Sequence, residues 1–334
     1  MTSLSSLGHD ERSARTVLSL VAAPNDASTG RLLVRVGAVE LLRLADSDSA
    51  LPGLDQIAAA VWRERLHTVS SADTLATQMA TFERQGLRVL IPGEKDWPAA
   101  LNDLGARTPY ALWTQGETAL LAKPLAERIT LTGARASTAY GEHMAIELAS
   151  DLALSGRVVV AGGAYGIEAA AHKSALATGG KTIAVLAGGV DRAYPAGHAD
   201  LFARIEQQGL LVSEVAPGVA PTRQRFLDRG RIMAALSSTT VVVEAGARSG
   251  SLRVANEAVE LGRSVGAVPG PVTSAASYGS NILIQDGRAR LLTGSEDVLR
   301  LADEDKSNDH NTELSRAFRI VAACDRRSPD SRGL

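Results

Sequence analysis

The residues of this sequence best suited to chemistry are glycines, serines and arginines placed at the ends of short apolar runs. Gly133-Ala134-Arg135 follows the run Ile129–Thr132, with Ser137 and Thr138 just behind it. Gly162-Gly163-Ala164-Tyr165-Gly166 follows Val158-Val159-Val160. Arg223, Arg225, Arg229 and Arg231 share the stretch PTRQRFLDRGRIMAAL with Phe226, and Glu244 precedes Arg248, Ser249, Gly250 and Ser251. Glycine lets a backbone come close to a phosphate or sugar. A turn that opens a helix points unpaired N–H groups at an anion. A guanidinium forks onto phosphate oxygens, and an aromatic ring among arginines suits base stacking. The chemistry implied is binding of phosphates and bases. No His stands at a recognisable spacing from a Ser and a carboxylate, and no paired carboxylates stand out, so no catalytic residue is assigned.

Each of these features also has a plain structural reading. Gly133-Ala134-Arg135 alone is a turn with a solvated arginine; its place at a sheet rim beside helix N-termini is what favours a phosphate. The four arginines form either an exposed helix start paired with Asp228 and solvent, or a surface for a nucleic-acid strand, and both readings stay open on composition alone. Glu244 reads as a structural anchor for arginines or loop amides rather than as a general base. The glycines at 162–166 do not make a dinucleotide site, because the first turn lacks a glycine triplet and no acidic residue ends the second strand. No cofactor is expected. His172, among alanines, reads as a packed helix histidine.

The elements that must hold these groups follow from periodicity. Ile129–Thr132 and Val158–Val160 read as buried strands, each followed by a glycine turn and a helix. Further strands are expected at 88–91, 109–113, 182–187, 210–215, 240–244, 264–268, 281–285 and 289–293. Helices are expected at 201–208, 223–236, 251–261 and 295–301. Repeated β-turn-α units predict an α/β fold with a doubly wound, mainly parallel sheet, whose turns converge on one rim. Residues 1–84 read as a small helical N-terminal domain, with Arg31–Leu44 broken at Gly37 and a helix over Ile57–Leu66. That part is either a SAM-like or helix-hairpin-helix module or a plain helical cap. Residues 85–302 form the α/β domain, and 303–334 read as a polar, mobile tail.

Composition narrows the function. The chain has 334 residues, a formal net charge of −2 and 4% aromatic residues, so any nucleic-acid contact must come from a local patch. Its single cysteine, Cys324, excludes an internal disulfide and a thiolate metal site. No apolar run approaches membrane-spanning length, and Asp10 and Glu11 precede the apolar stretch Val17–Ala23, so no signal peptide is expected and the chain reads as cytoplasmic.

In order, the segments TLTGARAST-x-YG, VVVAGGAYGIEAAAH, TIAVLAGGVDRAYP, LLVSE, FLDRGRIMAALS, VVVEAGARSGSL, AVPGPV and GSNILI resemble the DNA-processing protein A family (DprA/Smf), over roughly residues 86–300. The resemblance implies a Rossmann-like, homodimeric, non-enzymatic protein. Its members bind single-stranded DNA and deliver it to the RecA recombinase in natural transformation. Carried onto this sequence, it implies a strand-binding surface of Gly133, Arg135, Ser137, Gly162, Tyr165, Gly166, Phe226, Arg229, Arg231, Arg248, Ser249, Gly250 and Asn281. The chain departs from the family pattern at Tyr165, where Arg is usual, at Gly230, where Asn is usual, and near His198, also a usual Asn; its tail is shorter than the winged-helix domain many members carry. A competing reading on the same fold is a nucleotide sensor or a cytokinin-activating phosphoribohydrolase of the LOG type. That enzyme needs PGGxGTxxE after the buried strand, whereas EAGARSGSLRV here puts Val254 in the place of the glutamate.

Overall fold

The alternation of apolar runs and helical stretches resolves into one nine-stranded sheet with helices on both faces. The computed structural model describes residues 3–304, Ala193 excepted. The tail expected to be mobile therefore lies, from residue 305 onward, outside the described residues.

The N-terminal part is wholly helical: α1 (Leu4–Leu7), α2 (Glu11–Val21), α3 (Ala27–Val36), α4 (Ala38–Ala45), α5 (Gln56–His67) and α6 (Ala72–Arg84). Its starts are set by side-chain caps: Asp10 and Ser13 cap reciprocally ahead of α2, and Asp26, Asp55 and Ser71 accept N–H bonds ahead of α3, α5 and α6. Gly37 breaks α3 from α4, as its place in the leucine pattern predicts. Leu18, Leu32, Leu41, Leu42, Trp62 and Leu75 form a core of their own, which Tyr110 of the α/β part joins. The Tyr110 hydroxyl donates to Ala23 O at 3.0 Å, and Asn25 Nδ2 donates to Asp228 Oδ1 at 3.0 Å. With Arg12 on Val89 O, Arg15 on Tyr110 O and Trp113 on the Ser19 hydroxyl, these bonds fasten the helical part to the sheet part.

The sheet part runs β1 (Arg88–Leu90), β2 (Leu112–Gly116), β3 (Arg128–Thr132), α7 (Ala139–Leu154), β4 (Val158–Gly162), α8 (Ile167–Ala177), β5 (Thr182–Val185), α9 (Ala199–Gln208) and β6 (Leu210–Ser213). It continues with α10 (Arg223–Ala235), β7 (Thr239–Val242), α11 (Ser251–Glu260), β8 (Ser264–Ala267), α12 (Tyr278–Gln285) and β9 (Arg290–Leu291). Strand order is β1-β2-β6-β5-β4-β3-β7-β8-β9, parallel from β6 to β9, with β1 and β2 antiparallel at one edge. This is the Rossmann-like, doubly wound α/β arrangement. Side chains of α7, α8 and α9 cover one face of the sheet, and those of α10 and α11 cover the other.

One expected strand is a helix. Residues 281–285, read as an apolar β-branched run, lie inside α12. Leu283 there is buried against the cluster under α10 and α11, while Asn281, Ile282 and Ile284 are only half-buried. A one-sided burial of this kind is helical, and a short apolar run cannot distinguish the two from sequence.

The chain leaves β3 toward β4, β5 and β6, then returns to the other side of β3 at β7. Strand order reverses there. In open α/β sheets the crevice at that reversal, beyond the carboxyl ends of the strands, is where ligands bind.

Candidate nucleic-acid interface

The two glycine turns are locked to each other and to β7. Ala134 N donates to Glu244 O at 2.7 Å, and Ile167 N donates to Ala134 O at 3.2 Å. Gly166 makes this approach possible: its φ is +74°, and a methyl group there would lie 2.3 Å from Ala134 O. The Glu244 carboxylate, 1% exposed, accepts from Thr138 N at 2.8 Å and from the Thr138 hydroxyl at 2.6 Å. Thr138 in turn caps α7 through Gly141 N. The loop bearing Arg135 is therefore pinned at both ends.

A second carboxylate stiffens the floor. Glu168, in the first turn of α8 and 5% exposed, accepts from Ala164 N at 3.0 Å, from the Thr132 hydroxyl at 3.1 Å and from Arg229 Nη2 at 2.7 Å. Arg229 Nη1 also donates to Val185 O at 3.2 Å. Just below, His172 is fully buried between Gly162 O and the Thr182 hydroxyl, and burial pushes its imidazole down to about 4.

These supports frame a groove of about 920 Å³ at the switch point. One wall carries Gly133, Arg135 and Ala164, the other Phe226, Arg229 and Gly230 of α10, and Arg248, Ser249 and Gly250 close it at the start of α11. The Arg135 guanidinium lies 4.4 Å from the Phe226 ring centroid and that of Arg229 lies 5.2 Å from it, so one ring holds two cations. Tyr194 sits beside it with ring centroids 5.8 Å apart. Arg135 and Arg248 are exposed and form no ion pair among the described residues. The groove thus presents free guanidinium charge, an aromatic face and glycine-serine backbone, with its carboxylates already spent on internal bonds.

Of the residues expected on the surface, Gly133, Arg135, Phe226, Arg229, Arg248, Ser249 and Gly250 line this groove together. Tyr165 stands outside the lining, 51% exposed, with its ring 4.3 Å from that of His198. Ser137, Gly162 and Gly166 belong to the turns behind the wall; a methyl on Gly162 would strike the Arg229 guanidinium. Asn281 spends its amide on both backbone groups of Gly270, at 3.1 and 3.0 Å.

Arg231 points elsewhere. It is 1% exposed, forks onto Glu214 with two bonds of 2.6 Å, and donates to Arg107 O and Asp228 O. Burial works against its charge, and the Glu214 carboxylate more than offsets that, so its proton is held more tightly than usual. Arg229 and Arg231, two positions apart on α10, necessarily face different ways, and only the first reaches the groove. Sequence reasoning missed Glu168, Glu214 and Tyr194. Glu214 directly follows β6 and Glu168 opens α8 after the β4 turn, positions from which a buried acid reaches a facing arginine.

Among the described residues, no helix is long and apolar enough to cross a membrane, and no group of three or more His, Cys, Asp or Glu is placed to hold a metal ion.

The model of the DNA recombination-mediator protein A family matches residues 88–303. The putative DNA processing protein DprA of Mycobacterium tuberculosis is 47% identical over 237 residues, which are 68% of this chain and 60% of that protein. The chain thus spans about 60% of the length of this relative. The crystal structure of DNA processing protein A from Streptococcus pneumoniae superposes with a TM-score of 0.72 at 29% identity, covering 87% of this chain and 97% of that one. That of the Helicobacter pylori protein, described for its single-stranded DNA binding mode, gives 0.59 at 29% identity, covering 66% and 96%.

Proposed function

Since the chain belongs to the DNA recombination-mediator protein A family, we propose that it binds single-stranded DNA in the groove at the β3/β7 switch point. In this reading it protects incoming strands and hands them to the RecA recombinase during natural transformation, acting as a cytoplasmic homodimer. The observation that carries the reading is the stack of Arg135 on Phe226 above Arg229, in a groove otherwise walled by glycine and serine backbone.

The arrangement suits a strand without regard to sequence. Arg135 and Arg248 supply phosphate contacts, and Phe226 a stacking face. Arg229 contributes less charge than Arg135, because Glu168 neutralises part of it. Gly133, Ser249 and Gly250 allow the backbone to approach the strand. Ser137, Gly162, Gly166, Arg231 and Asn281 hold the frame rather than the ligand, and Glu244 anchors it.

Binding rather than catalysis is favoured by the groove's carboxylates. Glu168 is engaged by Arg229, Thr132 and Ala164, and Glu244 by Thr138, which supports a role for both in holding the frame rather than in a reaction. Val254 lines the groove where a phosphoribohydrolase would need its glutamate.

The test is a titration of the whole protein against a single strand, the matching duplex and a panel of mononucleotides, for wild type and Arg135→Ala. The reading expects preference for the single strand and a roughly tenfold or greater weakening in the variant, since one charge-assisted phosphate contact is worth about 1.5–3 kcal/mol. Tighter binding of a mononucleotide than of the strand would turn the reading toward a nucleotide sensor. A monomer mass by light scattering would remove the homodimer.

A further inference from the structure

The aromatic residues of this chain are sorted by type. All three tryptophans are buried, at 1%, 6% and 1% exposure for Trp62, Trp97 and Trp113. Of the five tyrosines, Tyr110 alone is buried, at 5%. The other four, Tyr140, Tyr165, Tyr194 and Tyr278, are 41%, 51%, 52% and 55% exposed. A large ring left half in water has a reason more often at a binding surface than elsewhere.

The four share one address. Tyr140 lies in the first turn of α7, after β3; Tyr165 follows β4; Tyr194 follows β5; and Tyr278 opens α12, after β8. Each therefore stands on the rim formed by the carboxyl ends of the parallel strands. Contacts tie them to that rim: the Tyr140 hydroxyl donates to Pro269 O at 2.7 Å, and Gly279 N, next to Tyr278, donates to Ala245 O at 2.6 Å. Read along the sheet order β5-β4-β3-β7-β8, the rings come as 194, 165, 140 and 278. Neighbouring strands lie about 4.8 Å apart, so the row spans roughly 19 Å. The groove at the β3/β7 switch point falls between Tyr140 and Tyr278 in that order, and Tyr194 lines it.

We propose that these four tyrosines form a track on which successive bases of a single strand stack as it enters and leaves the groove, so that the strand crosses the sheet edge perpendicular to its strands. The inference rests on the reading of the groove as a single-strand site. It adds the path, a minimum length of ligand, and a class of contact that carries no charge. A protein partner is the competing occupant of an aromatic surface. The layout argues for bases instead: one of the rings, Tyr194, lines the cationic groove and the other three stand on the same rim, near Arg135 and Arg248, which form no ion pair among the described residues, rather than closing an apolar patch.

The experiment measures affinity of the full chain for a fluorescent oligothymidylate of 20 nucleotides, one of 4 nucleotides, and a 20-nucleotide strand lacking its bases, across a range of salt. The proteins are wild type, Tyr165→Ala, Tyr278→Ala, their double variant, the matching Tyr→Phe variants, and Arg135→Ala. On the track, wild type binds the baseless strand at least about tenfold more weakly than the 20-mer. Each Tyr→Ala change weakens the 20-mer by about tenfold, leaves the 4-mer and the baseless strand unchanged, and leaves the slope of log affinity against log salt unchanged. Tyr→Phe keeps wild-type affinity. Native affinity in the double alanine variant overturns the track, as does a loss that persists on the baseless strand. A Tyr→Ala variant that changes the sedimentation behaviour of the free protein and not its DNA affinity assigns the rings to a protein interface. Arg135→Ala separates the two readings: its shallower salt slope and weakened binding hold for the groove whatever the tyrosines do, and full affinity there removes the groove itself.

Discussion

Replacing Arg231 by Met should damage the fold and spare the binding. The side chain is 1% exposed, and its guanidinium makes two bonds of 2.6 Å to Glu214, which is itself 7% exposed, besides bonds to two backbone carbonyls. Removing one partner of a buried pair leaves the other charge without compensation, at a cost of about 3–5 kcal/mol. In a chain of this size that corresponds to a fall in melting temperature of roughly 10 °C. The double variant Arg231→Met/Glu214→Leu removes both charges and should return at least half of the loss, a coupling that a double-mutant cycle in urea resolves directly. Single-strand affinity, measured well below the melting transition, should stay within about threefold of wild type. The reasoning is refuted if Arg231→Met melts like wild type and binds DNA tenfold more weakly, because the side chain would then be reaching the groove. Arg135→Ala is the mirror image, with normal melting and weakened binding.

Other perturbations separate frame from ligand in the same way. Gly166→Ala forces a side chain onto a φ of +74° and places it 2.3 Å from Ala134 O, so it should cost more than about 2 kcal/mol in denaturant unfolding. Glu244→Ala strips the partners from the Thr138 amide and hydroxyl; a loss of about 3 kcal/mol is expected, with faster hydrogen exchange at the Thr138 amide. His172 is held neutral, its pKa lowered to about 4 from 6.5, so the unfolded chain takes up a proton over that interval before the folded one does. Stability should therefore fall as pH drops from 6.5 toward 4, by on the order of 3 kcal/mol from this group, and His172→Gln should flatten melting temperature against pH in that window.

Much of the sheet could be read from the order of residues, because each central strand is a short apolar run bounded by glycine or a polar turn. Val158–Val160 and Ile129–Thr132 are examples, and their turns do converge on one rim. The capping pair Asp10 with Ser13 also marks the start of α2 in the sequence itself. The run at 281–285 misleads because Ile282, Leu283 and Ile284 satisfy a strand and a helix turn alike. Arg231 misleads for a different reason. It stands among arginines that look solvated, and its partner Glu214 lies well before it in the sequence, just past β6, so only the packing of α10 against the end of β6 brings the charges together. Tyr194 is not legible as a site residue, because a lone tyrosine before proline has no signal of its own until the fold places it beside Phe226.

The crowding around the rim glycines has a consequence for how such a protein can change over generations. At Gly133, Gly141 and Gly166 even one added carbon would meet another atom at 2.6 Å or less. Arg135, Arg248, Tyr165 and Tyr278 instead stand on the exposed surface. Substitutions of the first kind cost stability, and those of the second kind leave the fold and change what the groove binds. Divergence of binding preference is then open to single steps at the exposed positions, each viable by itself, while the path of the backbone beneath them stays closed to the same search.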